Sequence, residues 1–240
     1  MHIYAFGSIC RGDLREGSDI DLLALVEGYD RRFNPSTFSI YSYDRITNLW
    51  SEGNPFAWHL YLESRLIFAS SQHDFLKCLG LPNEYVNCVR DCEKFYSVFE
   101  EARASILLRS ESRVFELSTI FLSIRNIATC FSLGTSAKPD FSRHSAQHLA
   151  SSSIRLPSDA YSVLERARIL STRGEGKDIT DDEVDLVLEA LQNVEEWMEK
   201  LIAKAKNHER IQKSNGSPKT NSAARKSQRT SKRRVVWPLE

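Results

Sequence analysis

The first 70 residues alternate short apolar runs with polar turns, which is typical of strands separated by tight connections. The run IDLLALV is almost continuously apolar, as expected of a strand that is buried on both faces. The run TFSIYSY is rich in the β-branched and aromatic residues that favour strands. The pattern predicts strands at residues 1–6, 20–26, 37–43 and 66–69.

Two short helices are predicted between the third and fourth strands. Asp44 is placed to N-cap the first helix, and Gly53 is placed to end it. Pro55 can open the second helix at its first turn. Together these elements predict a small mixed sheet with helices packed on it.

From residue 74 onward, apolar positions recur every three or four residues, as in amphipathic helices. The last helix opens with Thr180 and has Glu183 three residues later, which is a capping-box pattern. The predicted helical stretches are 89–106, 117–131, 158–172 and 180–205. The predicted fold class is therefore α+β, a small mixed sheet followed by an antiparallel helical bundle.

Charge divides the chain unevenly, although its 240 residues carry 32 basic and 32 acidic side chains. Residues 204–240 contain 11 Lys and Arg against 2 Asp and Glu, so residues 1–203 contain 21 against 30. We predict three parts: a sheet domain at 1–72, a helical domain at 73–205 and a disordered basic tail at 206–240. The tail either binds nucleic acid or another acidic partner, or serves only as a solubilising segment.

Composition narrows the class of protein further. With 41% hydrophobic and 10% aromatic residues, the chain is neither collagen-like nor disordered throughout. No run approaches the roughly 18 uncharged apolar residues of a membrane helix, and the N-terminus lacks a signal-peptide pattern. We therefore expect a cytoplasmic protein with no membrane partner. The five cysteines show no CxxC spacing, which favours reduced, mostly buried thiols.

The segment AFGSICRGDLREGSDIDLLALV carries the candidate chemistry. Because side chains alternate along a strand, Asp19 and Asp21 project to the same side. Two carboxylates on one face repel each other unless a cation lies between them, and Mg²⁺ commonly binds one or two carboxylates together with nucleotide phosphates. The turn at Gly7 and Ser8 would let backbone N–H groups approach those phosphates. The alternative is that the two acids only solvate a loop.

This segment resembles the signature of the polymerase-beta-like nucleotidyltransferases. The likeness rests on Phe6-Gly7-Ser8, ten intervening residues, and the pair Asp19-Ile20-Asp21 followed by Leu22. Arg11-Gly12-Asp13 and Ser18 are similar to the spacer of the small bacterial members. The clear resemblance covers residues 1–70, and the helical segment after it resembles the C-terminal bundle of the kanamycin-nucleotidyltransferase type in position and length.

The resemblance implies roles for five residues. Gly7 and Ser8 would bind a triphosphate, Arg11 would neutralise phosphate charge, and Asp19 and Asp21 would hold the catalytic Mg²⁺ or Mn²⁺ ions. The implied activity is transfer of a nucleoside monophosphate, AMP from the donor ATP, onto a hydroxyl of a small molecule, protein or nucleic acid. The helical domain would form the acceptor side of the cleft.

One element of the family pattern is missing from the sequence. The family has a third carboxylate on a neighbouring strand, but the inward positions of TFSIYSY are Ser39 and Tyr41, or Ser42. Asp44 or Glu63 would substitute only if the local geometry turns it inward. Without this acid the alternative function is a catalytically impaired nucleotide-binding or regulatory module of the same fold.

Other residues have both a functional and a structural interpretation. His144 and His148, and likewise Cys88 and Cys92, are spaced four apart, and for both pairs packing is favoured over metal binding.

His59 and Glu63 either line a substrate pocket or form a structural pair. Arg125 on an apolar helix face needs a carboxylate or a substrate phosphate as its partner. A ribonuclease function would want a histidine about five residues after Arg125, where the sequence has Cys130 and Phe131.

Overall fold

A four-stranded mixed sheet forms the first part of the protein, as seen in a computed structural model. The structure describes residues 1–13, 20–28, 30–108, 111–135 and 138–215. Its strands are β1 (His2–Phe6), β2 (Asp21–Val26), β3 (Phe38–Ser42) and β4 (Ser64–Ala69). The strand order is β3-β2-β1-β4, with β1 antiparallel to β2 and to β4, and β2 parallel to β3. The predicted α+β class is confirmed.

One face of the sheet is covered by short helices. Alternate residues of β1 and β2, such as Tyr4, Phe6 and Leu23, form a core with these helices. Because Phe6 pairs directly with Asp21, the ends of β1 and β2 that carry the candidate motif lie side by side. The helices of this part are α1 (Ser8–Arg11), α2 (Tyr43–Ser51), α3 (Pro55–Glu63) and α4 (Phe75–Leu79).

The start of α2 differs from the prediction. Ser42, not Asp44, is the N-cap, and its side chain accepts a hydrogen bond from the backbone N–H of Arg45. The helix follows β3 without a loop, so the last strand residue acts as the cap and Asp44 falls in the first helical turn. Pro55 opens α3 as predicted. The N-cap of this helix is Asn54, which we did not predict.

Four longer helices form the second part of the described chain, and each matches a predicted stretch. They are α5 (Cys88–Leu107), α6 (Arg113–Thr135), α7 (Ser158–Arg173) and α8 (Asp181–Asn215). Helix α6 is central, since α5, α7 and α8 all pack against it. Its predicted apolar positions, including Leu117, Ile124 and Phe131, are all buried in the shared core.

Helix α6 is more apolar than the sequence inspection suggested. Within the described residues it is long and apolar enough to cross a membrane by length and composition alone. However, 61% of its most apolar window is buried inside the protein, as in the core helix of a bundle.

The last helix begins as predicted and continues further than predicted. Thr180 and Glu183 form the capping box, because each side chain accepts a hydrogen bond from the other residue's backbone N–H. Helix α8 then runs through residues 206–215, so the prediction of disorder for these ten residues is wrong. Ion pairs from Lys206 to Glu93 and from Lys213 to Glu209 accompany this extension. The rest of the predicted tail, 216–240, lies outside the described residues.

Candidate functional site

The bend after β1 is pressed against the carboxylate that begins β2. Gly7 has a φ of +73°, a backbone conformation that side-chain-bearing residues rarely adopt. A Cβ atom at Gly7 would lie 2.5 Å from Oδ2 of Asp21. A side chain at Gly7 would therefore have to displace the Asp21 carboxylate. The contact places the bend of the predicted phosphate site next to a carboxylate of the predicted metal site.

The structure brings together those predicted residues of the Gly7–Asp21 segment that it describes. Ser8 begins the four-residue helix α1 directly after the bend, and Arg11 ends it. Asp21 lies on the same face of β2 as the buried Leu23, toward the covering helices. Asp19 lies outside the described residues, as does Ser18 of the spacer, so the pairing of the two aspartates stays a prediction.

A second acidic side chain lies on the other side of the bend. Glu63 is the last residue of α3, and its backbone carbonyl accepts a hydrogen bond from Gly7 N–H at 3.1 Å. Its Oε2 atom pairs with the guanidinium of Arg11. Both side chains are largely buried, at 14% exposure for Glu63 and 23% for Arg11. Arg11 is therefore tied to an acid of the protein while it lies next to the predicted phosphate turn.

His59 joins this ion pair to the helical part of the chain. Its Nε2 lies 3.0 Å from the same Glu63 oxygen, close but without the alignment of a hydrogen bond. Its ring stacks on Phe141 with centroids 4.8 Å apart and an interplanar angle of 8°. The carbonyl of Phe141 accepts a hydrogen bond from Arg125 of α6. A continuous set of contacts thus leads from the Gly7 bend to the bundle.

Burial of His59 favours its neutral form. Burial lowers the pKa of His59, because a buried imidazolium loses its hydration. The Glu63 carboxylate opposes this shift, whereas the guanidinium groups of Arg125 and Arg11 lower the pKa further. With a neutral His59, the Glu63 charge is balanced chiefly by Arg11.

The strand next to Asp21 supplies no further carboxylate. In the parallel register Ser39 lies beside Leu23 and Tyr41 beside Leu25, so both face the same side as Asp21. This confirms the predicted inward positions, and neither is acidic. Among the described residues, which do not include Asp19, no group of three or more His, Cys, Asp or Glu is arranged to hold a metal ion.

Strand direction separates the two predicted substitutes for the third acid. Asp44 follows the end of β3, which lies beside Val26, whereas Asp21 is at the opposite end of β2. Five strand steps separate these ends, a distance of about 16 Å, so Asp44 is at the wrong end of the sheet. Glu63 is at the correct end, since Phe6 pairs with Asp21 on one side and with Ser64 on the other.

A family comparison agrees with this geometry. Residues 2–79 match a family model described as a nucleotidyltransferase domain. This part of the chain is similar to a nucleotidyltransferase domain. The resemblance to the polymerase-beta-like superfamily is thereby confirmed, and nucleotidyl transfer is supported as the general activity. Neither the curated proteins nor the solved structures gave a significant match.

The two histidines of the helical part form separate pairs. His144 and His148 lie in an irregular segment with two 3₁₀ turns, not on one α-helical face. His144 contacts Glu165 at 3.6 Å, and His148 contacts Asp140 at 2.7 Å. These contacts favour the structural interpretation of both residues.

The cysteines of α5 have mainly backbone partners. Cys88 donates to the carbonyl of Cys130, and Cys92 donates to the carbonyl of Ile127. Burial and its neighbouring thiol raise the pKa of Cys92. Both features fit packed thiols, as favoured from the sequence.

Two features of the site were not predicted. The ion pair between Arg11 and Glu63 joins residues 52 positions apart, and nothing local in the sequence indicates it. The stack of Phe141 on His59 joins the two parts of the chain, and nothing local in the sequence indicates this contact either. Arg125 donates to the backbone carbonyl of Phe141, a contact that we did not predict.

Proposed function

We propose that this protein is a divalent-metal-dependent nucleotidyltransferase that moves AMP from ATP onto a hydroxyl group of an acceptor. The observation that carries the proposal is the contact between the Gly7 bend and the Asp21 carboxylate, 2.5 Å from the Cβ position that glycine leaves vacant. A glycine turn without a side chain lets phosphate oxygens approach the backbone closely, and the carboxylate beside it is a ligand for a hard cation.

Some residues of the domain would bind the donor nucleotide, and others would neutralise its charge. Asp21, together with Asp19 outside the described residues, would hold Mg²⁺ or Mn²⁺. The ion would supply charge neutralisation for the triphosphate and for the departing pyrophosphate. The turn at Gly7 and Ser8 would align the donor phosphates, with Arg11 next to them. Alignment of two reactants accounts for much of the acceleration in reactions of this kind.

A second candidate function has an observation in its favour. The positions of β3 that face the Asp21 side are Ser39 and Tyr41, so this strand offers neither a third metal ligand nor a general base. Loss of a general base slows a reaction by about 10² to 10⁴. The alternative is therefore a module that binds the nucleotide and turns it over slowly or not at all, acting through a partner.

Labelled ATP distinguishes these functions. The full chain is incubated with ATP labelled at the γ phosphate, which leaves in the pyrophosphate, together with Mg²⁺ or Mn²⁺ and small-molecule, protein and nucleic-acid acceptors, and pyrophosphate release is measured. We expect metal-dependent release that falls at least 10²-fold in Asp21→Asn. Asp44→Asn is the matched control, because this exposed acid lies at the opposite end of the sheet.

The outcomes are distinct. Release that persists at the wild-type rate in Asp21→Asn would contradict a metal site at this carboxylate. Metal-dependent ATP binding without pyrophosphate release would instead favour the impaired module. Absence of ATP binding by the wild-type protein would contradict both functions.

A further inference from the structure

The contacts of Glu63 give it a place in the donor site that its position in the sequence does not suggest. Its backbone carbonyl holds Gly7, and its side chain holds Arg11 through Oε2. It therefore contacts both ends of the short segment 7–11 that forms the predicted phosphate turn. A residue with two contacts of this kind fixes the shape of the turn.

The ion pair also constrains what Arg11 can do. A guanidinium group has five N–H donors, so one pairing with Glu63 leaves others for a second anion. Arg11 Nε is buried and has no hydrogen-bond partner among the described residues. Since a buried donor without a partner is energetically unfavourable, an arginine kept in this state is well suited to an anionic ligand.

The second contact of the carboxylate keeps it in place. His59 lies 3.0 Å from Glu63 Oε2 and is itself fixed by its stack on Phe141. Because burial and two nearby arginines favour neutral His59, the histidine does not compete with Arg11 for the carboxylate charge. The acid is thus held between a neutral ring on the bundle side and a cation on the phosphate side.

We propose that Glu63 is a positioning residue for the donor nucleotide: its carboxylate orients Arg11 beside the Gly7 turn so that the free guanidinium N–H groups meet the triphosphate. This inference rests on the proposed function, and it assigns Glu63 to the donor side of the site, not to deprotonation of the acceptor. Glu63 acts through Arg11 and does not itself contact the nucleotide.

A double-mutant cycle tests this role in the full chain. The dissociation constant of ATP with Mg²⁺, KM and kcat are measured for the wild type, Arg11→Ala, Glu63→Gln and the double variant. We expect each single variant to weaken ATP binding about tenfold, as for a lost charge-assisted hydrogen bond. The double variant should bind ATP no more weakly than Arg11→Ala alone, because Glu63 acts only through Arg11.

Two controls separate positioning from a general effect on folding. Glu52→Gln makes the same chemical change at an exposed acid that ends α2, and it should leave ATP affinity unchanged. The thermal midpoint of each variant is recorded alongside. A purely structural role for Glu63 would lower the thermal midpoint without the selective rise in KM for ATP.

Each result has a definite reading. Losses that multiply in the double variant would overturn the positioning role, because the two residues would then act independently. Glu63→Gln with wild-type ATP affinity and no turnover would also overturn it and would assign this carboxylate to the acceptor. A wild-type protein that binds no ATP would overturn the proposed function itself, whereas the other two outcomes leave that function standing.

Discussion

Substitution of Gly7 by alanine tests the contact on which the site depends. Two costs add at this position. The first is conformational, because a side chain at φ +73° and ψ −138° is strained by about 1–3 kcal/mol. The second is steric: the new Cβ would lie 2.5 Å from Asp21 Oδ2, so the carboxylate must retreat by about 1 Å to reach ordinary contact.

Gly80→Ala is the matched control for the conformational cost. Gly80 has a φ of +68° and a ψ of −148°, close to the angles of Gly7, yet a Cβ there would have no neighbour within 4 Å. We expect Gly80→Ala to lower the free energy of unfolding by about 1–3 kcal/mol, and Gly7→Ala to lower it by more, because only Gly7→Ala adds the steric cost. A displacement of about 1 Å in a catalytic ligand costs roughly 10²-fold in rate, so only Gly7→Ala should reduce turnover that strongly.

Urea unfolding and pyrophosphate release measure the two effects. Adding Asp21→Ala to Gly7→Ala should recover the steric part of the stability loss, because only the Asp21 Cβ, 3.9 Å away, would remain near the new atom. If Gly7→Ala and Gly80→Ala destabilise equally, and Gly7→Ala turns over at the wild-type rate, the bend does not press on the carboxylate and the proposed site is wrong.

Two further predictions concern the missing acid and the bundle. Ser39→Asp places a carboxylate on the face of β3 that Asp21 shares, so pyrophosphate release should rise at least tenfold if only a base is lacking. Ser42→Asp, at the far end of β3, is the control. An equal rise in pyrophosphate release for both variants would refute the reasoning. A hydrogen bond from the Thr180 backbone and the Arg166 guanidinium lower the pKa of Glu183 to about 2, below its unfolded value of 4.5. The contribution of Glu183 to stability is therefore present above pH 4.5 and lost as the pH falls toward 2. In acid denaturation, Glu183→Gln should lose less free energy of unfolding over this pH range than the wild type does. Equal losses for the two proteins would contradict this expectation.

Helices and strands could be predicted because their signals are local. The positions Leu117, Ile124 and Phe131 repeat with the helical period, and the structure buries all three. The errors arose where two local signals compete. Ser42 and Asp44 are both good caps, and the choice between them depends on where β3 ends, which its pairing with β2 determines.

From the sequence, the candidate site could be predicted only for residues that one pair of neighbouring strands brings together. Gly7 and Asp21 are joined by adjacent antiparallel strands, so their spacing in the sequence already brings them together. Arg11, Glu63 and Phe141 come from three distant segments. Their contacts depend on β4 pairing with β1 and on the bundle packing against α3, and no periodicity in the chain encodes either arrangement.

The direction of the strands decides which acidic residue can lie near Asp21. The sequence does not favour Asp44 over Glu63: Asp44 lies just past a predicted strand, and Glu63 lies on a helix predicted after that strand. In the sheet, Asp44 follows a strand that runs away from Asp21, whereas Glu63 precedes a strand that starts beside the Gly7 bend. The acid at the correct end is, however, paired with Arg11 and is not available as a free base while that pair holds. Among the described residues β3 offers no base and Glu63 is occupied by Arg11, so we propose that the domain first binds a donor nucleotide and that the acceptor substrate or solvent supplies the proton acceptor for turnover.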